Sequence, residues 1–357
     1  MMCESARLGP KGSLPLLLLA LGFCTVQCCG ACGSGPSATK AELGAAQVEQ
    51  ARKFRRAPPE LPRGVPLRAN GHKELASRLL GTLQELRSRG RGARFRPPME
   101  DEAQGYRDWT LRALEAASES RVSPRLPSGF SRFDLPDSPI MVVSESGDSL
   151  RGAGALALRE GAAAPVVVEA PHTFYDRGTL EIAVALFAAL EARALLINTV
   201  HRYRGNGLAS MGGPRGSASD PVADVAHTPR SFFAAAHEAT ARARPALLAV
   251  QVHGYRDQRV PGFDAVLSAA GSSLDPEHFA HCMEHYLTGA RVGVYPRDLR
   301  DLGGTRNRQA QSSVQFGAPF LHVELSARLR ARLRQPGPGQ SAFAAAFFSV
   351  SEGSCRP

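Results

Sequence analysis

The sequence predicts a three-layer α/β/α domain with a mostly parallel sheet. Stretches of strand and helix character alternate from Ile140 onward, which is typical of sheets whose crossover helices cover both faces. The consecutive β-branched residues Val166, Val167 and Val168 indicate a strand that is buried on both faces. With 357 residues, 43% of them hydrophobic, the chain is long enough to build such a core.

The first 32 residues have the layout of a secretory signal peptide. Arg7 and Lys11 precede the apolar run Leu14–Phe23, which is too short to predict a membrane-spanning helix. Cys32 stands at the end of a predicted lipoprotein cleavage site, and Cys24 ends a competing, poorer one. We therefore expect export to the cell envelope and attachment to the membrane through a lipid on the new N-terminus.

Residues 33–70 are predicted to form a flexible basic tether, because they are rich in Gly, Ser, Pro and Arg. The chain has a net charge of +10, and residues 33–100 contribute +8 of it, with 14 basic against 6 acidic residues. Residues 101–357 are nearly neutral, with 27 against 26. A nucleic-acid-binding protein carries its basic charge on the folded module, so we expect no nucleic-acid partner. A basic tether is attracted to anionic lipids, although an arginine-rich source genome is the simpler explanation of the charge.

The folded domain is predicted to cover residues 71–357 and to begin with a helical extension. Leucines recur at helical spacing from Leu75 to Leu86, and a second amphipathic pattern covers Glu102–Ala117. The segment Pro124–Pro136 is a predicted loop. We expect the two helices either to pack on the main domain or to form a small cap.

Strands and helices are then predicted in turn. The predicted strands are Ile140–Val143, Ala153–Leu158, Val166–Glu169, Leu195–Val200, Leu247–Val252, Arg291–Val294 and Phe320–Leu325. The predicted helices are Leu180–Ala192 with Thr179 as N-cap, Ser231–Arg242, His278–Thr288 and a basic helix that ends near Leu333. Ligands bind at the carboxyl ends of the strands in sheets of this kind, so residues that follow the strands are candidates for a site.

Histidines follow two of the predicted buried strands. They are His172 and His253, and Asp176 comes four positions after the first, in a turn before a helix. Two histidine nitrogens and a carboxylate form the usual ligand set of hydrolytic zinc sites, which leave one position open. We therefore predict one Zn²⁺ bound by His172, Asp176 and His253. Glu181 is the rival carboxylate, although its place within the helix better suits a hydrogen bond to one of the metal-binding residues than binding of the metal itself.

Glu324 is the predicted general base. Side chains alternate along the predicted strand, so Glu324 shares a face with Phe320 and His322. A carboxylate in an apolar strand is costly to bury unless it is paired or used chemically. Water activated by a metal also needs a base that is not itself a ligand. The alternative is a salt bridge between Glu324 and Arg328.

Three segments of the chain resemble, in order, the zinc-binding and catalytic segments of the zinc carboxypeptidase and N-formylglutamate amidohydrolase superfamily: PHTFYDRGTLEIA, VQVHG and FLHVELSARLR. The first is most similar in style to the motif of poly-γ-glutamate hydrolases. The resemblance covers roughly residues 166–333 and implies a phosphorylase/hydrolase-like fold, one zinc ion and amide-bond hydrolysis. It implies that His172, Asp176 and His253 bind the metal and that Glu324 is catalytic. Carboxypeptidases have His-x-x-Glu, whereas Tyr175 stands at the corresponding position here.

Polar residues after other strands are candidates for substrate binding. Arg202 and Arg204 follow a predicted strand, and a guanidinium matches a carboxylate with two hydrogen bonds. Asn307 lies in a second polar loop. His227 follows a Gly-rich segment, residues 205–219, that could cover the site; alternatively it lies near a helix N-terminus without a ligand role. We expect six further histidines to be structural or solvent-facing: His201, His237, His278, His281, His285 and His322.

The predicted function is that of an exported zinc-dependent amidohydrolase or carboxypeptidase-like hydrolase. It would use metal-activated water to cleave a peptide-like or N-acyl amino acid bond next to a carboxylate in a small-molecule or peptide-like substrate. The alternative is a non-catalytic, envelope-associated binding protein of the same fold that recognises an anionic ligand, which would not need Glu324. A serine hydrolase is not supported, because the chain has no Gly-x-Ser-x-Gly motif. Beyond the leader only Cys282 and Cys355 remain, so at most one disulfide is expected.

Overall fold

The structure, a computed structural model, describes residues 71–147, 150–205 and 220–355. A nine-stranded sheet lies at the centre of this part of the chain. Its strands are β1 (Phe130–Asp134), β2 (Ile140–Glu145), β3 (Ala155–Arg159), β4 (Ala164–Ala170), β5 (Ala192–Ile197), β6 (Leu248–Tyr255), β7 (Ala265–Ser268), β8 (Val292–Val294) and β9 (Phe320–Ser326). They lie in the order β1-β2-β3-β5-β4-β6-β9-β7-β8. All of the described residues belong to one structural unit. The predicted signal peptide and tether, residues 1–70, lie outside the described residues.

Eight α-helices accompany the sheet within the described residues. They are α1 (Gly71–Gly90), α2 (Glu100–Ser118), α3 (Thr179–Ala189), α4 (Phe232–Arg242), α5 (Pro276–Tyr286), α6 (Arg308–Phe316), α7 (Ala327–Leu333) and α8 (Pro338–Glu352). The two N-terminal helices pack on the others, α1 against α3 and α2 against α4. None of these helices is long and apolar enough to cross a membrane.

The sheet is parallel in its middle, antiparallel from β5 out to β1 and between β9 and β7, and parallel again in the edge pair β7–β8. Strands β5, β4, β6 and β9 pair in parallel, whereas β1, β2, β3 and β5 pair antiparallel in succession and β7 is antiparallel to β9. The prediction of a mostly parallel sheet is therefore right only for the middle and for the edge pair β7–β8. Short connections join β1 to β2 and β2 to β3, and a short connection permits only antiparallel pairing.

The hydrophobic core lies in two clusters, and alternate residues of β4 contribute to each. Val166 and Val168 belong to the larger cluster, with residues of α1, α3, α5 and α8. Val167 belongs to the second cluster, with residues of α2 and α4. All three valines are at most 1% exposed, as expected for a strand covered on both faces. Cys282 and Cys355 are buried in the first cluster as free thiols, so the disulfide that the sequence allowed is not formed.

The helix that follows the central strand begins and ends differently from the prediction. The N-cap of α3 is Gly178, with φ of 95°, and not Thr179, whose hydroxyl instead donates to the Asp176 carbonyl. The tight turn after β4 requires positive φ at the residue that precedes the helix, and positive φ favours glycine. Gly178 is therefore the residue that suits this cap. Glu191 also has positive φ, at 48°, and the chain reverses there. Helix α3 therefore ends at Ala189 rather than continuing to residue 192.

Four elements were not predicted from the sequence. Strand β1 lies in the segment expected to be a loop, and only one of its five residues is buried, so it has no alternating pattern. Strand β7 has only four residues, all of them buried. Helix α6 begins within the polar segment assigned to a loop, where Asn307 caps it by accepting from two backbone N–H groups. Helix α8 follows a Pro- and Gly-rich segment near the end of the chain.

Candidate active site

The three predicted metal ligands converge at the carboxyl ends of β4 and β6. Nδ1 of His172 lies 3.3 Å from Oδ2 of Asp176, and Nδ1 of His253 lies 3.5 Å from the same oxygen. One ligand atom from each residue lies within 4.8 Å of the other two. The tight turn brings this about, because the Asp176 N–H donates to the His172 carbonyl at 2.8 Å. Two imidazole nitrogens and a carboxylate therefore face a common point, which fits the donor set of a catalytic zinc ion.

Each histidine is oriented by a polar partner on its other nitrogen. Nε2 of His172 lies 2.8 Å from Oδ1 of Asp224, and Nε2 of His253 lies 2.7 Å from Oε1 of Gln251. Both Nδ1 atoms are consequently turned towards Asp176. Such partners on the distal nitrogen are typical of metal-ligating histidines, because they set the tautomer and the orientation of the ring.

The electrostatics of the cluster hold His172 as a cation between two carboxylates. Burial lowers the pKa of His172, but the hydrogen bonds that it donates to Asp176 and Asp224 outweigh burial and raise this pKa to about 9. Burial raises the pKa of each carboxyl, yet the bonds to histidine hold both pKa values far below the usual range. For His253, burial dominates and lowers the pKa to about 4. The cluster therefore contains one neutral imidazole and one proton that a metal ion would displace.

Glu324 lies beside the three candidate ligands on the neighbouring strand. It pairs in register with His253 across β6 and β9. Its Oε2 is buried and has no hydrogen-bond partner, and burial, with the negative charge of Asp176, raises the pKa of Glu324 to about 8. The alternative reading, a salt bridge with Arg328, is not observed, because the Arg328 guanidinium donates to Asp264 at 2.5 and 3.0 Å. The other oxygen, Oε1, lies 3.9 Å from Nε2 of His322. A largely buried carboxyl with one unpaired oxygen and a raised pKa is suited to proton transfer.

Glu181, the rival carboxylate, lies apart from this cluster. It is half-buried in α3, and it belongs to none of the groups of potential metal ligands among the described residues. Its Oε2 is buried without a hydrogen-bond partner. Asp176, which faces both histidines, is the carboxylate that the geometry favours.

The predicted substrate-binding residues have mixed outcomes. Arg202, His227 and Asn307 line the pocket, whereas Arg204 is exposed and does not. The guanidinium of Arg202 is already bonded to Asp224, and Nδ1 of His227 lies 3.1 Å from the same carboxylate. Asn307 uses its oxygen to cap α6 and its amide nitrogen to donate to a buried glutamine. The side chains of Arg202, His227 and Asn307 are therefore engaged in internal contacts, whereas that of Arg204 faces solvent.

Sequence reasoning missed three residues of the site. Asp224 is fully buried and joins His172 to Arg202, but it follows no predicted strand. His322 was expected to be structural or solvent-facing; it is buried, lines the pocket, and its ring centroid is 4.7 Å from that of His253. Gln251 could have been predicted from the sequence, because it lies two positions before His253 and residues two apart on a strand share a face.

A pocket of about 980 Å³ opens above the cluster. The described residues that line it include four carboxyl groups and seven arginines, the latter being Arg177, Arg202, Arg256, Arg259, Arg300, Arg306 and Arg330. Three of these, Arg177, Arg256 and Arg300, are exposed and their side chains form no ion pair within the described residues. Arginine in excess of carboxylate makes the pocket favourable for an anion.

Arg330 has a different role, because it is buried and holds the ends of three segments together. Its guanidinium donates to the carbonyls of Arg177, Tyr255 and Leu325. Gly254 is required beside it, since a Cβ at that position would collide with the guanidinium. The turn after β4 and the ends of β6 and β9 are thus joined beneath the pocket.

Comparisons with known proteins find similarity only among solved structures. No protein-family model matches the chain, and no curated protein matches it. An N-formylglutamate amidohydrolase from Ralstonia eutropha JMP134 is 19% identical over 56% of this chain and 96% of its own, with a TM-score of 0.36. A candidate carboxypeptidase A from Shewanella denitrificans OS-217 is 14% identical over 56% of this chain and 61% of its own, with a TM-score of 0.34. A Zn-dependent exopeptidase from Parabacteroides distasonis ATCC 8503 is 9% identical over 79% of this chain and 98% of its own, with a TM-score of 0.26.

At such identities and scores, we base the function on the geometry of the site.

Proposed function

We propose that the protein is a zinc-dependent hydrolase that cleaves an amide bond next to a carboxylate. The observation that supports this most is the convergence of His172, Asp176 and His253 beside Glu324 in one pocket. Two neutral-nitrogen ligands and a carboxylate suit zinc, and a separate buried carboxyl suits a base. A protein that only bound an anion would have no need of the Glu324 carboxyl at this position.

His172, Asp176 and His253 would hold the zinc ion. When bound there, zinc supplies a Lewis acid that polarises the substrate carbonyl and makes water a stronger nucleophile at neutral pH. Asp224 and Gln251 keep the two imidazoles turned towards the ion through their Nε2 atoms. Arg202, bonded to Asp224, compensates the charge of that buried carboxylate.

Glu324 accepts the proton of the attacking water and passes it to the departing amine. Its Oε2 is free to accept, since none of the described residues hydrogen-bonds to it. A base works best when its pKa lies near the working pH, and burial brings the pKa of Glu324 to about 8. The proton then leaves with the product, which returns the carboxylate to its starting state.

The substrate carboxylate is bound by the exposed arginines of the pocket. Arg202 and Arg204 were the sequence candidates, but one is bonded to Asp224 and the other lies outside the pocket. Arg177, Arg256 and Arg300 line the pocket and pair with no carboxylate among the described residues. Each can present a two-pronged donor to an anion. A small or peptide-like substrate with a free carboxylate fits this arrangement.

The finer predictions on fold and location are also part of the proposal. We propose a three-layer, phosphorylase/hydrolase-like arrangement and an exported protein that is anchored by a lipid on Cys32. Mass spectrometry of the mature N-terminus tests the location: a lipid-modified Cys32 is expected, and an unmodified start upstream of Cys24 would refute both cleavage and lipidation.

Metal analysis combined with a substrate panel tests the function. We expect about one zinc per chain and release of the amine from N-acyl amino acids or from dipeptides, with loss of turnover on chelation and recovery with Zn²⁺. Methyl esters of the same substrates are the matched controls and should react poorly, because they lack the carboxylate. Zinc binding with no cleavage of any amide in the panel would favour the anion-binding alternative, and absence of zinc would refute the site.

A further inference from the structure

A chain of buried polar side chains extends from His253 into the protein, away from the pocket. Its central member is Gln251, which is 0% exposed. The amide Nε2 of Gln251 donates to Oε2 of Glu169 at 2.8 Å and to Oε1 of Gln309 at 3.3 Å. Its Oε1 accepts from Nε2 of His253 at 2.7 Å and from Nδ2 of Asn307. Gln251 thus uses both donors and both acceptor positions of its amide.

Two independent contacts determine which way the Gln251 amide faces. On one side, the Glu169 carboxylate can only accept, so it requires the NH₂ group of Gln251. On the other side, Oδ1 of Asn307 accepts from the backbone N–H groups of Gln309 and Ala310 at the start of α6. The Asn307 amide must therefore point its NH₂ group at Gln251, which requires the Gln251 oxygen there.

At the far end of this row of polar side chains, His237 and Ser313 hold Glu169 in place. Oε1 of Glu169 lies 2.7 Å from Nδ1 of His237, and Nε2 of His237 lies 3.1 Å from the Ser313 hydroxyl. Glu169, His237 and Ser313 are all at most 1% exposed. Burying so many polar groups costs free energy unless every one is satisfied, and a satisfied network is rigid and specifies one arrangement.

The orientation of Gln251 sets the tautomer of His253. Because an oxygen faces Nε2 at 2.7 Å, that nitrogen must carry the proton of a neutral imidazole, which leaves a lone pair on Nδ1. The competing acceptor for a proton on Nδ1 is Oδ2 of Asp176 at 3.5 Å. That oxygen already accepts from Gly254 N–H at 3.1 Å and contacts Nδ1 of His172. The closer and less burdened acceptor is Gln251.

We propose that Gln251, oriented by Glu169 and Asn307, is a positioning residue that keeps His253 in the Nε2–H tautomer and so presents its Nδ1 lone pair to the metal. The part that concerns the metal rests on the proposed function. The tautomer itself is a property of the metal-free chain, so it can be tested whether or not the protein is a hydrolase.

The first test is the tautomer of His253 in the metal-free full-length protein. Nitrogen-15 NMR distinguishes the Nε2–H from the Nδ1–H form, and comparison with a His253→Asn variant assigns the signals. We expect the Nε2–H form in the wild type. A wild-type protein in the Nδ1–H form would overturn the proposal without any substitution in the network.

The second test removes the oxygen from Gln251. In Gln251→Met the proton of His253 is expected to move to Nδ1, where Asp176 accepts it, and zinc affinity should fall about 10- to 100-fold. Gln309→Met is the matched control: Gln309 is equally buried, bonds to Gln251 and to the Val225 carbonyl, and makes no contact with His253. It should keep the Nε2–H form and change zinc affinity less than threefold.

A double variant separates orientation from packing. Glu169→Gln with Gln251→Glu exchanges donor and acceptor while keeping the atoms nearly in place, so an acceptor still faces His253. We expect this exchange to retain the tautomer and most of the zinc affinity that Gln251→Met loses. Equal losses in Gln251→Met and Gln309→Met, or an unchanged tautomer in Gln251→Met, would overturn the proposal. A retained tautomer in a protein that cleaves no amide would instead count against the proposed function.

Discussion

His253 and Glu324 occupy one rung of the parallel pair β6–β9. Side chains paired across neighbouring strands project from the same face of a sheet. The predicted ligand and the predicted base therefore have a separation that is set by two central strands rather than by loops. Sites built on strands hold their geometry more tightly than sites built on loops, so the relative position of metal and base should be rigid.

Zinc binding should depend on His172 and His253 but not on every histidine of the pocket. Replacing either residue with Ala removes one nitrogen of the converging set, so we expect loss of stoichiometric zinc by elemental analysis. His201→Ala is the matched control, because His201 lines the pocket yet belongs to no group of potential ligands among the described residues. Full zinc content in both His→Ala variants would contradict the site. Asp176→Asn should lose zinc and Glu181→Gln should keep it. The reverse result would make Glu181, and not Asp176, the carboxylate ligand.

Turnover should depend on Glu324 while zinc binding does not. Glu324→Gln preserves the shape of the side chain but removes the proton acceptor, so we expect kcat to fall about 10²- to 10⁴-fold with KM and zinc content little changed. Arg328→Ala is the control, because Arg328 pairs with Asp264 and not with Glu324. Steady-state kinetics on any amide that the parent cleaves decides the matter. Undiminished kcat in zinc-loaded Glu324→Gln would refute the base.

Metal affinity should rise with pH up to about 9. Burial lowers the pKa of His172, but hydrogen bonds to Asp176 and Asp224 raise this pKa to about 9. Zinc must displace that proton, so the apparent affinity should fall about tenfold for each pH unit below the pKa. Chelator competition between pH 6 and 10 measures this slope. Asp224→Asn removes one carboxylate, so the pH at which affinity levels off should move downward; a pH-independent affinity would contradict the assignment.

The same pKa determines how His172 affects the stability of the metal-free protein. Its folded pKa, about 9, lies above the ordinary value of 6.5. The folded state therefore holds the proton more tightly, and His172 stabilises the fold fully below about pH 6.5. That contribution is lost as pH rises through 9. Denaturant unfolding of wild type and His172→Asn across this range should show the wild-type advantage shrinking with rising pH.

A side chain at Gly254 should destabilise the protein while Arg330 is present. A methyl group at Gly254 would collide with the Arg330 guanidinium, so we expect Gly254→Ala to lower the free energy of unfolding by about 1–3 kcal/mol. Gly81→Ala is the control, since a Cβ at Gly81 meets no atom within 4 Å. It lies inside α1 and should stabilise the protein by roughly 0.5–1 kcal/mol.

Chemical denaturation of a double variant tests the cause of that loss. Arg330→Met with Gly254→Ala should be more stable than the sum of the single effects predicts, because the collision is removed. Strict additivity of the two changes would show that Arg330 is not the obstacle.

The strand-end residues of the site could be predicted from sequence, and the residues that orient them could not. His172 and His253 follow apolar runs, so the sheet edge that they share follows from the pattern of the runs. Asp224 follows no strand, and its place beside His172 depends on the path of the chain through tertiary contacts. Arg204 has the composition of a substrate residue, but its backbone bonds to Phe95 and its side chain faces solvent.

The direction of the outer strands could not be predicted from the sequence either, because it also depends on tertiary contacts. The apolar run at β4 identifies a central strand whatever its neighbours are. Strand β7 has four buried residues, which is too short a run to show a period or a direction. The parallel middle was therefore predictable, and the antiparallel pairs β1–β2, β2–β3, β3–β5 and β7–β9 became known only from the strand pairing.

The three carbonyls that accept from Arg330 belong to the segments at the floor of the pocket, which are linked to one another. The exposed residues at its rim are not linked in this way. Because the turn after β4 and the ends of β6 and β9 are tied to one guanidinium, a shift of any one of them would break a hydrogen bond to Arg330. Residues of the rim, such as Arg256 and Arg300, have no such tie. Evolution can therefore alter the rim to accept a new substrate while the chemistry below is preserved, and libraries for changing specificity should be restricted to those rim positions.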